Sequence, residues 1–385
     1  MTYTEEQTMV RDMVRDFAAG ELAARAAEVD AASRFPADML PQLAALNLLG
    51  LTVQADAGGA GVDAVSYALA LEEIARVCGS TALVVAAHNS LAAWPLARWG
   101  SPEQHSRWLG PIARGEMLGA CALSESEAGS DVAAIRSTAT RRGGNWILQG
   151  EKHWIVNATH ANMFVVAAKV DPRGTGCGLF LVERDRAGVE IRPGGTPLGL
   201  RGAGLGAMTL HEVEVPAQHL LGDEGAGLSY WDSVQDGASI AMSAIAVGIA
   251  QGAFERALRY ARERPQFERP ISDYQLVQWR LVDSAVEIQA ARLLVHDACR
   301  CVDAGEPVAK AAAMAKIHAT EVAARVSDHA LQVHGGYGYI TEYPVERAYR
   351  DAKVSEVAWG TNEIQRLRVM RALLQEAESG RVLLQ

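Results

Sequence analysis

The first apolar residues of the chain fall at Val10, Met13, Val14 and Phe17, the i, i+3, i+4, i+7 spacing that gives a helix one buried face. Thr4 and Gln7 stand just ahead of them in a capping-box pattern, which marks the helix start. Helical periodicity continues to about residue 118, broken by ADAGGAGVD at 55–63, whose glycines suit a tight loop. From about 120 to 225 the period changes to two. The short apolar runs NWILQG, MFVVAAKV, CGLFLVE, VEIRP and MTLHEVEVP, separated by Gly, Pro and Asp clusters, predict strands. After Gly225 the helical period returns in alanine-rich stretches near 229–262, 271–304 and 307–334, with shorter ones to the end.

The order α, β, α predicts an α+β protein with a helical domain over 1–119, a β domain over 120–226 and a second helical domain over 227–385. Alanine-rich helices pack closely, so the last domain is expected to form a bundle that continues across subunits.

Composition narrows the function classes. The 385 residues are 49% hydrophobic and 21% charged, the balance of an ordinary globular chain. No apolar run approaches the roughly 20 residues of a membrane span, so no membrane partner is expected. The opening MTYTEEQTMVRDMVRD mixes acids and bases, without the basic and then apolar stretches of a leader, and a cytoplasmic address is expected. A net charge of -10 argues against a nucleic-acid partner. Cys78, Cys121, Cys177, Cys299 and Cys301 lack C-x-x-C spacing, which predicts free thiols and no metal site.

Several segments offer chemistry. SESEAGSD (124–131) presents the Ser124 and Ser130 hydroxyls and backbone N–H groups to an anion or a heterocycle edge. HWIVNATHAN (153–162) sets Trp154 at a strand edge, in position to stack on an aromatic cofactor. Taken alone, these two read equally as a plain turn and as sheet packing. ARERPQFERPI (261–271) brings Arg262 and Arg264 to a helix-to-helix corner, where a guanidinium suits a diphosphate. QVHGGYGYITEYPVERAYRDAK (332–353) contains a glycine run that permits close backbone approach to a ligand.

Taken in order with WGTNEIQR, these segments resemble the acyl-CoA dehydrogenase family over essentially the whole chain. The resemblance implies that family's fold: an N-terminal helical domain, a middle β domain and a C-terminal four-helix bundle, assembled as a homotetramer with one FAD per subunit. It implies that Ser124 reaches the flavin pyrimidine ring, that Ser130 lies near the FAD diphosphate and that Trp154 flanks the isoalloxazine. Val156 stands where the family has a Thr that hydrogen-bonds flavin N5. Arg264, Gln266 and Phe267 match a stretch that contacts FAD across a subunit interface. Gln332 and Gly336 match positions on the ribityl and diphosphate side, and Thr361 and Glu363 match the turn over the cofactor.

The catalytic positions depart from the pattern. In the family a Glu before GT removes the α-carbon proton while the β-hydride passes to the flavin; here that residue is Trp359. Aligning through AVGIAQGA (246–253) puts Ala238 at the family's alternative Glu position and Ser239 at its usual Arg. An indole cannot take a proton. Asp236 is the candidate relocated base, with Asp232 on the same segment and His160 and Glu356 further away. The resemblance and its departures imply an FAD-dependent oxidoreductase acting on an unusual acyl thioester, bound to CoA or to a carrier protein. An electron-transfer flavoprotein or another acceptor would take the electrons. Two alternatives remain open: a flavin monooxygenase on the same fold, and a non-catalytic subunit of a mixed tetramer.

Overall fold

A computed structural model describes residues 2–170 and 176–379. The first helix, α1 (Glu5–Phe17), starts as its sequence predicts: the Thr4 side chain accepts from the Gln7 N–H, and the Gln7 side chain accepts from the Thr4 N–H. Val10 and Val14 are buried, and Met13 and Phe17 pack against the same core. Helices α2 (Ala64–Ala75) and α3 (Gly79–Ala86) are buried almost throughout. They form the layer that the C-terminal domain packs upon.

The middle domain is an eight-stranded sheet. Its strands are β1 (Gly119–Ala122), β2 (Thr138–Arg142), β3 (Asn145–Ile155), β4 (Met163–Lys169), β5 (Cys177–Glu183), β6 (Val189–Pro193), β7 (Gly206–Pro216) and β8 (Leu220–Leu221). The order is β6-β7-β3-β2-β4-β5-β8, with β1 paired in parallel to β4 and most other pairs antiparallel. Strand β4 is buried from Met163 to Ala168, which explains its continuous apolar run rather than an alternating one. The β3–β7 register shifts between Lys152 and Ile155, and in that irregularity Trp154 takes a φ of 58°. A bulge re-aims a side chain, and this one turns the indole out of the sheet core.

The C-terminal helices are α4 (Gly227–Glu263), α5 (Gln275–Asp303), α6 (Ala309–His334), α7 (Val345–Val357) and α8 (Asn362–Glu378). The sequence predicted a helix beginning at 271. Pro265–Gln266 and Arg269–Pro270 instead pair as a small hairpin, and a single tight turn over Ile271–Asp273 precedes α5. The prolines at 265 and 270 end one helix and delay the next. Helix α4 lies against α2 so closely that a Cβ at Gly248 would stand 2.3 Å from the Glu72 carbonyl oxygen, and one at Gly252 would stand 2.1 Å from that of Arg76. Only glycine permits this contact. Its most apolar window has a mean hydropathy of 1.5, enough by length and composition to cross a membrane, but 83% of that window is buried inside the protein. Arg292 of α5 clamps Glu72 of α2 at 2.7 Å, fixing the two helical domains together.

Candidate active site

A cavity of about 730 Å³ opens where the sheet domain meets α4 and the turn between α7 and α8. One wall is the loop after β1. Inside that loop Lys152, fully buried, reaches Glu125 at 2.7 Å and the Leu123 carbonyl at 3.0 Å. The Glu125 carboxylate also accepts from the backbone N–H groups of Arg136 (2.6 Å) and Ser137 (2.9 Å). Burial pulls the Lys152 ammonium down, while the Glu125 carboxyl stays below its ordinary value, against its own burial, because Lys152 and these N–H groups hold it. The ion pair sets the shape of the 123–137 loop, which brings Ser124 and Ser130 to the cavity. His153 N–H donates to the Ser124 carbonyl at 2.9 Å, joining that loop to the end of β3, where Trp154 lies 66% exposed at the cavity wall.

The opposite wall is helical. Trp231, Asp232 and Gln235 come from α4, and Arg368 and Arg371 from α8. Thr361 caps α8 by accepting from the Ile364 N–H at 3.3 Å, so that helix N-terminus, with its partial positive charge, faces the cavity. A third wall, Pro197 to Leu205, belongs to the sheet domain but is fastened to α7: Leu200 N–H donates to Asp351 at 2.6 Å. Burial pushes the Asp351 carboxyl up to about 6, opposed by that N–H and by Arg347.

The residues singled out in the sequence divide between two places. Ser124, Ser130, Trp154, Val156 and Thr361 line the large cavity. Arg264, Gln266 and Gly336 line a second hollow of about 520 Å³, where the Arg264 guanidinium stands 5.3 Å from the Tyr337 ring centre. Phe267, Gln332 and Glu363 line neither. Phe267 is 88% exposed with a φ of 52°, and Gln332 and Glu363 are exposed on α6 and α8.

Trp359 lines the cavity with a φ of 56°, packed like Val156 against both adjoining hydrophobic cores. Ala238 is fully buried, and the buried Ser239 hydroxyl has no hydrogen-bond partner. Neither of the positions that the sequence resemblance assigns to the base therefore offers a carboxylate. Asp236 is not on the cavity wall; its carboxylate binds Arg368 at 2.5 Å. Burial pushes Asp236 up, with Arg368 pulling it down and Asp232 adding to the rise. His160 stacks on Phe35 at 4.1 Å, and Glu356 binds Lys353 beside a different hollow. Among the candidate bases only Asp232 lines the cavity, and among the described residues none pairs with its exposed carboxylate.

Comparison with known proteins decides the family. The acyl-CoA dehydrogenase N-terminal, middle and C-terminal domain patterns match residues 4–116, 120–213 and 225–374 in turn. The chain belongs to the acyl-CoA dehydrogenase family. It is 42% identical over 374 residues to a Bacillus subtilis protein described as a probable acyl-CoA dehydrogenase, YngJ, covering 96% of this chain and 98% of that one. It is 39% identical over 366 residues to the short-chain specific acyl-CoA dehydrogenase of Clostridium acetobutylicum, covering 94% and 97%. Among solved structures, butyryl-CoA dehydrogenase from Megasphaera elsdenii superposes with a TM-score of 0.95 at 33% identity, covering 97% and 99%. The prolyl acyl carrier protein oxidase AnaB superposes with a TM-score of 0.93 at 29% identity, covering 97% and 100%.

Members of the acyl-CoA dehydrogenase family are FAD-dependent oxidoreductases, and the donor set here fits FAD. An exposed indole, two serine hydroxyls and a helix N-terminus surround a space suited to a flat, hydrogen-bonding ring system, and an arginine beside a glycine turn suits a diphosphate. Sequence reasoning missed Gln235, Arg368, Arg371 and the 197–205 wall. Gln235 lies one turn after Asp232, and residues 364, 367, 368 and 371 share one helical face, so helical spacing carried a signal for these; the docked loop carried none.

Proposed function

We propose that this protein is an FAD-dependent oxidoreductase of short acyl thioesters whose acyl group differs from a plain saturated chain, carried on CoA or on a carrier protein. One observation supports it above others: the cofactor-side residues Ser124, Ser130, Trp154 and Thr361 all converge on one cavity while an indole, Trp359, stands where the family keeps its base. Bound FAD supplies the two-electron acceptor. Trp154 and Ser124 would orient its ring, and Arg264 with the Gly336 turn would hold a diphosphate. A thioester lying along α4 meets the free carboxylate of Asp232, the residue we assign to take the proton from the substrate. Arg368, on the same cavity wall, is engaged by Asp236.

An electron-transfer flavoprotein is the class of acceptor proposed, on family grounds. A homotetramer is supported by the exposed apolar stripe Leu276, Trp279, Val282, Val286 and Leu293 along α5, which a bundle continued into a neighbouring subunit would cover. Light scattering that returned a monomer would remove that part of the proposal.

The test of the activity is anaerobic: short, branched and hydroxylated acyl-CoAs are mixed with the yellow protein, and the oxidised flavin band is followed. Bleaching by at least one thioester, reduced about a hundredfold in rate in Asp232→Asn, is the expected outcome. Bleaching that survives Asp232→Asn but not Asp236→Asn would transfer the role to Asp236. The absence of bleaching by every CoA and carrier-protein thioester tried, in protein reducible by dithionite, would overturn the reading.

A further inference from the structure

Gln235 is 6% exposed and lines the large cavity, yet among the described residues none hydrogen-bonds its side-chain amide. Amides at this depth are normally paired, and this one is not among the side-chain groups sealed from solvent without a partner, so its polar atoms open to the cavity. Its surroundings explain why no partner is found within the chain. The amide lies against Gly360 so tightly that a Cβ there would stand 2.1 Å from it. The Gly360 carbonyl is engaged from elsewhere, by the Lys316 ammonium at 2.6 Å and the Gln365 amide at 3.4 Å. Arg368, on the facing helix, is occupied by Asp236. The Gln235 amide is therefore held in place by packing, with its hydrogen-bonding capacity directed at the cavity.

Its position locates what it binds. Gly360 directly follows Trp359, so Gln235 borders the part of the cavity where the indole stands, the end where the reacting carbons would lie. An uncharged amide that both donates and accepts matches a neutral group that does the same. A charged group at this depth would need a buried counterion, and Gln235 carries no charge. We infer that Gln235 is the subsite for a neutral hydrogen-bonding substituent on the acyl group, a hydroxyl or an amide, and that it selects such thioesters over plain acyl chains. This rests on the thioester reading above.

The pantetheine arm common to CoA and carrier proteins also contains amides, so the experiment must separate the two sources. The FAD-loaded protein is titrated with CoA, butyryl-CoA and 3-hydroxybutyryl-CoA, and perturbation of the flavin spectrum gives each dissociation constant. The expected result is that 3-hydroxybutyryl-CoA binds about tenfold tighter than butyryl-CoA. Gln235→Met should abolish that gap, leave butyryl-CoA within about twofold of wild type, and leave the thermal midpoint of the ligand-free protein close to wild type, because no hydrogen bond to another described residue is lost. Gln235→Asn, smaller and still polar, should lose the gap even if the methionine variant does not fold.

Equal affinity of the wild type for the two acyl-CoAs would overturn the inference. So would an equal weakening of both acyl-CoAs and of CoA itself in either variant, which would assign the amide to the pantetheine arm. If the butyryl and 3-hydroxybutyryl groups perturb the flavin neither on CoA nor on a carrier protein while added FAD is retained, the thioester reading itself fails, and the subsite with it.

Discussion

The ammonium of Lys316, in the middle of α6 and fully buried, donates to the carbonyl oxygen of Gly360 at 2.6 Å and so ties a bundle helix to the turn that carries Trp359. Thr320, one turn further along α6, exchanges hydrogen bonds with Asn362 and reinforces the same junction. Helix, turn and cavity wall are held as one unit.

Burial pushes the Lys316 ammonium down to about 7, with Glu363 and then Glu356 opposing. The unfolded chain keeps its proton up to about 10.5, so between these values unfolding takes up a proton and stability rises with pH. The cost of burying the charge is therefore fully present below pH 7 and relieved above it. Lys316→Met should flatten this rise by a few kcal/mol, on the order of the shift, while loosening the 359–361 turn. Urea midpoints of both proteins between pH 6.5 and 9.5 check it; parallel curves would refute it.

By the sequence resemblance, Trp359 stands at the position of the family's carboxylate, and it lines the cavity. Replacing it with a smaller acid, Trp359→Glu, should open room and supply a base, raising the rate of flavin bleaching by butyryl-CoA at least about tenfold above wild type. Stopped-flow absorbance under nitrogen measures it. An unchanged rate would mean that the Ser239 and Val156 departures, not Trp359, limit the plain acyl reaction.

Asp236 and Arg368 are both mostly shielded from water and bind at 2.5 Å. Arg368→Met leaves Asp236 without its partner and should destabilise the protein by about 1–3 kcal/mol, less than a fully buried pair would lose. The double variant Asp236→Asn/Arg368→Met should recover much of that loss. Chemical denaturation of the four proteins closes the cycle, and additive effects would show that the pair is not coupled.

Burial pushes the Asp351 carboxyl up to about 6, against 3.8 for the free group. Because the folded form holds its proton longer, stability falls as pH rises from about 4 to 6, and the cost stays in place above that. Asp351→Asn keeps an oxygen to accept from Leu200 N–H, so its stability relative to wild type should improve between pH 4 and 7 by on the order of 1–3 kcal/mol. Thermal midpoints at the two ends of that range decide it.

Much of this structure could be read from spacing. The α1 face, the Thr4 cap and the long C-terminal helices follow from hydrophobic period and local capping. Ser124 and Trp154 stand in short segments of their own character, but their roles, and Thr361 altogether, came from the family resemblance. Their placement could not be read in the same way, since Trp154 reaches the cavity through a bulge set by pairing with β7, and the Ser124 loop depends on Lys152, 28 residues from Ser124. Gln235 was not singled out because nothing local distinguishes a glutamine with partners from one without. The start of α5 was placed a few residues early because the tight turn over Ile271–Asp273, following the hairpin at 265–270, takes up the first residues that the period assigned to the helix.

The bond from Leu200 to Asp351 spans two domains: a pocket wall in the middle domain is moored to a carboxylate about 150 residues later. The donor is a backbone N–H that any non-proline residue can supply, whereas the acceptor must be a side chain. The contour of this wall is therefore legislated at a distance, by a residue outside the cavity lining.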